Sequence, residues 1–280
     1  MTLRLRMNER AKISLRQVGR DRNPVLVVDD VLANPDEIRT RALESRYRRG
    51  EQVRYYPGYQ ADCSLPGIDE LAAWVAERMW CDAYGRERGT LIDEADCPRP
   101  VFSALSPQPD GKYLNIHVDG HSWLAVLVYL SPGEDRRSGT AFWRQREHGV
   151  ESIYIGPNAM KTMSLVDAVF GTRMVERVLP PLGRSTAATF EQFASDLCER
   201  DVSPPFPERS HGAWERTGIV RAKYNRLVAY PTWMWHSPAM RDYAPPRSLA
   251  EARLTLNAFI RHPLLEPRSL VPIAPIRGVA

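Results

Sequence analysis

Two rhythms of apolar and polar residues divide the chain. In the first third, Pro24-Val25-Leu26-Val27-Val28 is a β-branched apolar run closed by Asp29-Asp30, which predicts a buried strand. Asn34-Pro35-Asp36-Glu37 then offers a cap residue, a proline at the first helical position and acids where the helix dipole favours them. A helix is expected from there to about Ser45. Leu71, Val75 and Met79 share one face of a second expected helix, from about Asp69 to Tyr84, with Gly85 as its stop.

From Val101 the rhythm shortens. The runs Val101 to Leu105, Tyr113 to Asp119, Trp123 to Leu130, Thr140 to Trp143, Arg226 to Tyr230 and Arg253 to Ile260 are separated by Gly, Pro, Asp and Ser. An antiparallel barrel or sandwich requires this pattern. Between the fourth and fifth runs the chemistry differs. Phe190, Phe193, Ala194, Leu197 and Cys198 share a helix face behind a Thr189/Gln192 capping box, and Val202 to Pro207 reads as a loop. The expected organisation is one domain over 1–280, with a supporting strand and helices in 1–100 and a β core in 101–149 and 223–262. Residues 150–222 are expected to be an insertion that could lie as a lid over the barrel mouth.

Composition narrows the class. The chain has 280 residues, 43% of them hydrophobic, enough to bury a large core in one domain. Its formal charge of +4 comes from 38 basic and 34 acidic residues spread along the sequence. There is thus no concentrated basic face, and nucleic acid is not an expected partner. Cys63, Cys81, Cys97 and Cys198 form no C-x-x-C pair and are expected to be free thiols. The N-terminus is charged throughout, and the longest apolar run, Trp123 to Leu130, is too short to cross a bilayer. A cytoplasmic protein without a membrane partner is the expectation.

The chemistry concentrates in Asn115-Ile116-His117-Val118-Asp119. On a strand, residues two apart leave the same face, so His117 and Asp119 can share one metal while Ile116 and Val118 pack the other way. His236 follows the strand-like run Leu227-Val228-Ala229-Tyr230 and the turn Pro231-Thr232. Two imidazoles and one carboxylate leave adjacent coordination positions open, an arrangement suited to Fe(II) oxygenases. In the last run, alternation puts Arg253, Thr255, Asn257 and Phe259 on one face and Leu254, Leu256, Ala258 and Ile260 on the other. If the aliphatic face packs against covering elements, Arg253 and Thr255 point inward and can grip a carboxylate through the planar guanidinium fork and a hydroxyl.

These segments resemble the Fe(II)/2-oxoglutarate dioxygenase superfamily, especially its prolyl-hydroxylase-like branch. The likeness is carried by His117 to His121 leading into Leu124 to Ser131, by Ser138-Gly139-Thr140-Ala141-Phe142-Trp143, and by Asn225 to His236 followed by Arg253 to Phe259. There are two departures from that branch. The histidines stand 119 positions apart (236 − 117), and the basic anchor is Arg253 where a lysine near the last histidine is common.

The resemblance implies an α+β fold with a mainly β core, a double-stranded β-helix of the jelly-roll or cupin-like kind, with N-terminal helices packed on it. It implies Fe(II) on His117, Asp119 and His236, and 2-oxoglutarate and O₂ as co-substrates, with Arg253 and Thr255 holding the far carboxylate. The expected outcome is succinate, CO₂ and a hydroxylated C–H bond on a small molecule, amino acid or peptide. Tyr113 and Asn115 share the His117 face and are further candidates to touch the co-substrate. Trp233 and Trp235 are expected to shape the site. His121 is expected in a solvent-facing turn, and Arg173 and Arg177 on a solvated face. A cupin-like or zinc-dependent enzyme that does not use 2-oxoglutarate, and a β-helix binding module without activity, are the alternatives.

Overall fold

The structure is a computed structural model that describes residues 3–48, 58–89, 97, 100–105, 116–119, 122–155, 159–178, 206–241 and 246–261. Ten strands dominate it: β1 (Lys12–Val18), β2 (Asn23–Asp29), β3 (Gly58–Asp62), β4 (Val101–Leu105), β5 (Leu124–Tyr129), β6 (Glu134–Gln145), β7 (Trp214–Lys223), β8 (Leu227–Pro231), β9 (His236–Met240) and β10 (Arg253–Ile260). Among the described residues three helices accompany them, α1 (Pro35–Leu43), α2 (Ile68–Arg78, continued by a π-helical turn over Met79–Ala83) and α3 (Ala159–Phe170), and a further helical stretch covers 174–178.

The strands form two antiparallel sheets, a seven-stranded one in the order β1-β2-β8-β5-β10-β4-β3 and a three-stranded one in the order β7-β6-β9. β5 and β8 in the middle of the large sheet are almost wholly buried, because both faces are covered. On one face Ile68, Leu71 and Ala72 of α2 meet Val126, Val128, Leu256 and Ala258. The other face meets the small sheet. There the Tyr129 hydroxyl bonds Thr140 Oγ1 at 2.8 Å, the Phe142 ring stands edge-on to Tyr230 at 5.1 Å, and Arg253 donates to the Gly139 carbonyl at 3.3 Å. The aliphatic face of β10 thus packs under α2, and its polar face looks between the sheets.

Several expectations change. β7 falls inside the range 150–222 expected as an insertion, yet it pairs with β6 from Glu134↔Lys223 to Gln145↔Trp214, so the core resumes by Trp214. At the other end, Trp235 N–H donates to Glu151 O at 3.0 Å and Ile153 N–H to Trp233 O at 2.8 Å, so the core also extends past Val150. The pattern concealed β7 because it is a half-exposed edge strand with mixed composition. β1 was hidden in a polar leader for the same reason, since all but Val18 of its residues are exposed. Asn34 does not cap α1 through its side chain. Its Oδ1 accepts Arg6 N–H at 3.1 Å and its Nδ2 donates to Arg4 O at 2.9 Å, which staples the leader to the helix instead. Of the expected strand Tyr113 to Asp119, only 116–119 are described, and they form a single bridge, His117↔His236. The helix face from Phe190 to Cys198 and the Thr189/Gln192 box lie outside the described residues.

Among the described residues no helix is long and apolar enough to cross a membrane. Among the described residues Cys63, Cys81 and Cys97 are in no disulfide, and burial pushes the Cys63 thiol up to about 12, which suits packing and not nucleophilic chemistry. Cys198 lies outside the described residues.

Two long-range ties hold the N-terminal strands to the β7–β8 hairpin. Asn225, in the left-handed region at φ 59°, accepts Leu32 N–H and donates to Leu32 O, both at 2.9 Å. Asn225→Ala leaves both buried main-chain groups unpaired and is expected to cost about 3 kcal/mol of unfolding free energy in urea titration. Asp29 receives Arg226 Nε at 2.5 Å and Nη2 at 3.0 Å, and Lys223 Nζ at 3.2 Å. The Arg226 hydrogen bond foremost, against the opposing effect of burial, holds its carboxyl below the usual range. A depressed folded pKa contributes stability that is present above the unfolded value of about 3.9 and is lost as pH falls through the lower folded value. Unfolding midpoints followed from pH 6 to pH 2 should therefore decline less steeply in Asp29→Asn than in the unaltered protein.

Candidate metal centre

His117, Asp119 and His236 converge at one end of the sandwich. β9 begins at His236, where the backbone leaves the turn Thr232–Trp235 and pairs with Phe142 of β6. On the other side of β9, His117 exchanges both main-chain hydrogen bonds with His236 at 2.9 Å each, and Asp119 N–H reaches Thr232 O at 2.8 Å. A directly opposed antiparallel pair sends both side chains to the same face. The imidazole centroids are accordingly 4.3 Å apart, and Asp119, two residues on, joins them. Its Oδ2 lies 3.2 Å from His236 Nε2 and its Oδ1 3.8 Å from His117 Nε2. One ligand atom from each residue falls within 4.8 Å of the others.

The donor set fits a divalent ion. Metal–ligand bonds of about 2.1 Å at near-right angles put neighbouring donor atoms about 3 Å apart, so small side-chain rotations close the cluster onto one ion. His236 Nδ1 stands 2.9 Å from Met234 O; donation there fixes the tautomer that leaves Nε2 with its lone pair toward Asp119. His236 is 6% exposed at its side chain, against 25% for His117 and 26% for Asp119, so the cluster has a buried floor and an open side.

Aromatic rings set the floor. Tyr230 lies 4.8 Å from the His236 ring and 5.1 Å from Phe142. Burial first, with the Asp119 charge adding, pushes the phenol far above its ordinary range, so Tyr230 stays neutral beside the carboxylate. Trp235 is fully buried against Trp214 at 5.1 Å. Trp233 packs 5.3 Å from Phe170 at the end of α3, and Phe170 also meets Trp80 and Trp123. Trp235 is thus held against Trp214 and Trp233 against Phe170, and the first helix after β6 is anchored next to the turn that delivers His236.

Arg253 lies deeper between the sheets. It is 7% exposed, its guanidinium carbon sits 5.1 Å above the Tyr129 ring, and it donates to Gly139 O. Its Nε has no partner, and no carboxylate pairs with it among the described residues. Thr255 is buried with its hydroxyl 3.5 Å from Ser103 O, and Asn257 Nδ2 bonds Ser103 Oγ at 3.1 Å. Tyr113, Asn115 and His121 lie outside the described residues. Arg173 is exposed and pairs with Glu176, and Arg177 pairs with Asp21, as a solvated face would. Arg241 is bound to Glu208 at 2.7 Å. Sequence reasoning passed over Tyr230 and Phe142 as ordinary strand residues, since periodicity alone cannot say which buried ring touches a ligand.

No curated protein matches the chain. Among solved structures it is similar to the non-heme alpha ketoglutarate dependent epimerase SnoN from nogalamycin biosynthesis, with a TM-score of 0.42 and 11% identity over 86% of this chain and 79% of that one. It is also similar to HygX from Streptomyces hygroscopicus, which holds nickel and 2-oxoglutarate, with a TM-score of 0.40 and 12% identity over 85% and 83% of the two chains. An N-substituted L-amino acid dioxygenase from Burkholderia ambifaria AMMD matches with a TM-score of 0.33 and 12% identity over 85% of each chain. One family model, described as a family of unknown function (DUF6445), matches residues 9–167 and 182–260. Because that match takes in most of the polypeptide and both segments of the cluster, the chain belongs to the DUF6445 family.

Proposed function

We propose that this protein is an Fe(II)/2-oxoglutarate-dependent oxygenase, akin to the prolyl-hydroxylase-like branch, that hydroxylates an unactivated C–H bond of a small molecule, amino acid or peptide. The observation that carries this reading is the pairing of two features in one interior: a two-histidine, one-carboxylate cluster and a buried arginine with no carboxylate partner among the described residues. An uncompensated buried guanidinium is costly unless an anion completes it. Phe142 opposes His236, and Gly139, which holds Arg253, is three residues along the same strand, about 10 Å away at about 3.3 Å per residue. A five-carbon diacid spans that interval, with a metal–oxygen bond of about 2.1 Å at one end and a charge-assisted hydrogen bond of about 2.8 Å at the other.

In this reading His117, Asp119 and His236 hold Fe(II), which when bound supplies O₂ activation coupled to decarboxylation of the oxo acid. The chain's own residues do the positioning. Met234 O orients His236, and Arg253 binds the far carboxylate. The neutral Tyr230 and the Phe142 ring keep water from the floor beside the cluster. The three-ligand set leaves positions free for the oxo acid and O₂.

The test is succinate formation. Protein supplied with Fe(II), 2-oxoglutarate and air is expected to release succinate, followed by mass spectrometry across a panel of amino acids, peptides and small natural products, and Asp119→Ala is expected to release none. Tight zinc binding, with no succinate and no strengthening of metal binding by 2-oxoglutarate, would instead select a zinc-dependent or cupin-like enzyme.

A further inference from the structure

Arg253 borders a small recess between the sheets, together with Tyr129, Ser131, Gly133, Ser138, Ala222 and Lys223. Two of its polar atoms are buried and unpartnered, Arg253 Nε and Ser138 Oγ. Ser138 is 0% exposed, and a hydroxyl held out of water without a hydrogen bond is a standing cost. Thr255, expected from spacing to be Arg253's hydroxyl partner, is not among the residues bordering this recess, and its Oγ1 faces Ser103 O.

The segment Ser138-Gly139-Thr140 accounts for this arrangement. Alternation along β6 turns Ser138 and Thr140 to the same inner face, where Thr140 bonds Tyr129, while the Gly139 carbonyl between them receives Arg253 Nη2. Gly139 must lack a side chain, because a Cβ there would stand 2.4 Å from Val220 O of β7. The close approach of β7 thus fixes the carbonyl that aims the guanidinium, and it brings Ser138 to the same recess. Lys223 adds a second positive charge at the rim, shared with Asp29.

We propose that Ser138 is the second donor to the carboxylate held by Arg253, in the place expected for Thr255, so that β6 and β10 each contribute one half of the clamp. This rests on the proposed function above and names the ligand class the clamp selects: a 2-oxo acid with a second carboxylate at its far end. Ser138 is a binding residue for the co-substrate; Gly139 is a positioning residue that acts through Arg253.

Binding without turnover tests it. Calorimetric titration of Mn(II)-loaded protein in the absence of O₂ is run with 2-oxoglutarate and with 2-oxobutyrate, which shares the chelating end and lacks the far carboxylate. Ser138→Ala is expected to weaken 2-oxoglutarate binding about tenfold and to leave 2-oxobutyrate unchanged, while Thr255→Val keeps the original preference. Ser138→Ala removes only an oxygen from the recess, and its folding is checked by thermal unfolding in the same buffer. If the unaltered protein prefers 2-oxoglutarate and Ser138→Ala keeps that preference, the clamp assignment is overturned and the oxygenase reading stands. If the unaltered protein binds both acids equally, the oxygenase reading and the clamp fall together.

Discussion

His236→Ala is expected to abolish metal binding while leaving the fold intact. Removing a residue that only orients a metal ligand costs 10- to 100-fold in affinity, so losing the ligand itself is expected to cost more than about 100-fold, with turnover falling alongside occupancy. The fold should survive because the tie between the two segments of the proposed metal centre is main-chain. His117 and His236 exchange backbone hydrogen bonds that an alanine keeps, and Phe142 still opposes position 236 in the sheet. An unfolding midpoint within about 4 °C of the unaltered protein is expected, corresponding to no more than about 1 kcal/mol for a domain of this size. Mn(II) titration with thermal unfolding in the same buffer measures both quantities. Undiminished metal affinity in His236→Ala would remove His236 from the metal centre and leave the cluster an arrangement of packed polar groups.

Replacing Arg253 with leucine should have opposite effects on function and stability. A hydrogen-bonded buried charge pair is worth about 2–5 kcal/mol when one partner is removed. The KM for 2-oxoglutarate is therefore expected to rise about 100-fold, with a much smaller change in kcat, since in the proposed reading Arg253 holds the far carboxylate and touches no reacting atom. Without co-substrate, however, the guanidinium is a buried cation that, among the described residues, donates to Gly139 O and stacks on the Tyr129 ring and meets no carboxylate. The ring contributes about 1–2 kcal/mol, less than the several kcal/mol that desolvating an ion costs. Arg253→Leu should consequently unfold at the same or a higher temperature than the unaltered protein, and should lose the extra stabilisation that 2-oxoglutarate confers by mass action. Clear destabilisation with an unchanged KM would mean that Arg253 is a packing residue and that the anchor lies elsewhere.

The order of these effects follows from how the site is supported. The proposed metal ligands come from segments tied by main-chain hydrogen bonds, so single side-chain changes there are expected to alter chemistry and spare the fold. The ties through Asn225 and Asp29 are side-chain bonds between distant segments, so changes there are felt in stability first.

The residues of the candidate site were legible because their chemistry is local. His117 and Asp119 two apart, and Arg253 heading a strand with alternating faces, are statements about one element, and periodicity reports which face each side chain takes. The apolar runs at β4, β5, β8 and β10 were readable for the same reason, since these strands are buried and β-branched or aromatic residues mark them. β1 and β7, half-polar strands at sheet edges, carried no such mark.

What tertiary structure alone decided is which elements meet. Periodicity is silent on pairing, so nothing local told that His236 would oppose His117 across 119 positions (236 − 117), or that its other flank would be Phe142. Nor could spacing show that the Thr255 hydroxyl faces Ser103, leaving Ser138, from a strand of the other sheet, beside Arg253. The types of group at the site were fixed by the chain's own order. Their distances and partners were set by the packing of two sheets, because burial energy depends on which faces come together and not on where residues fall along the polypeptide.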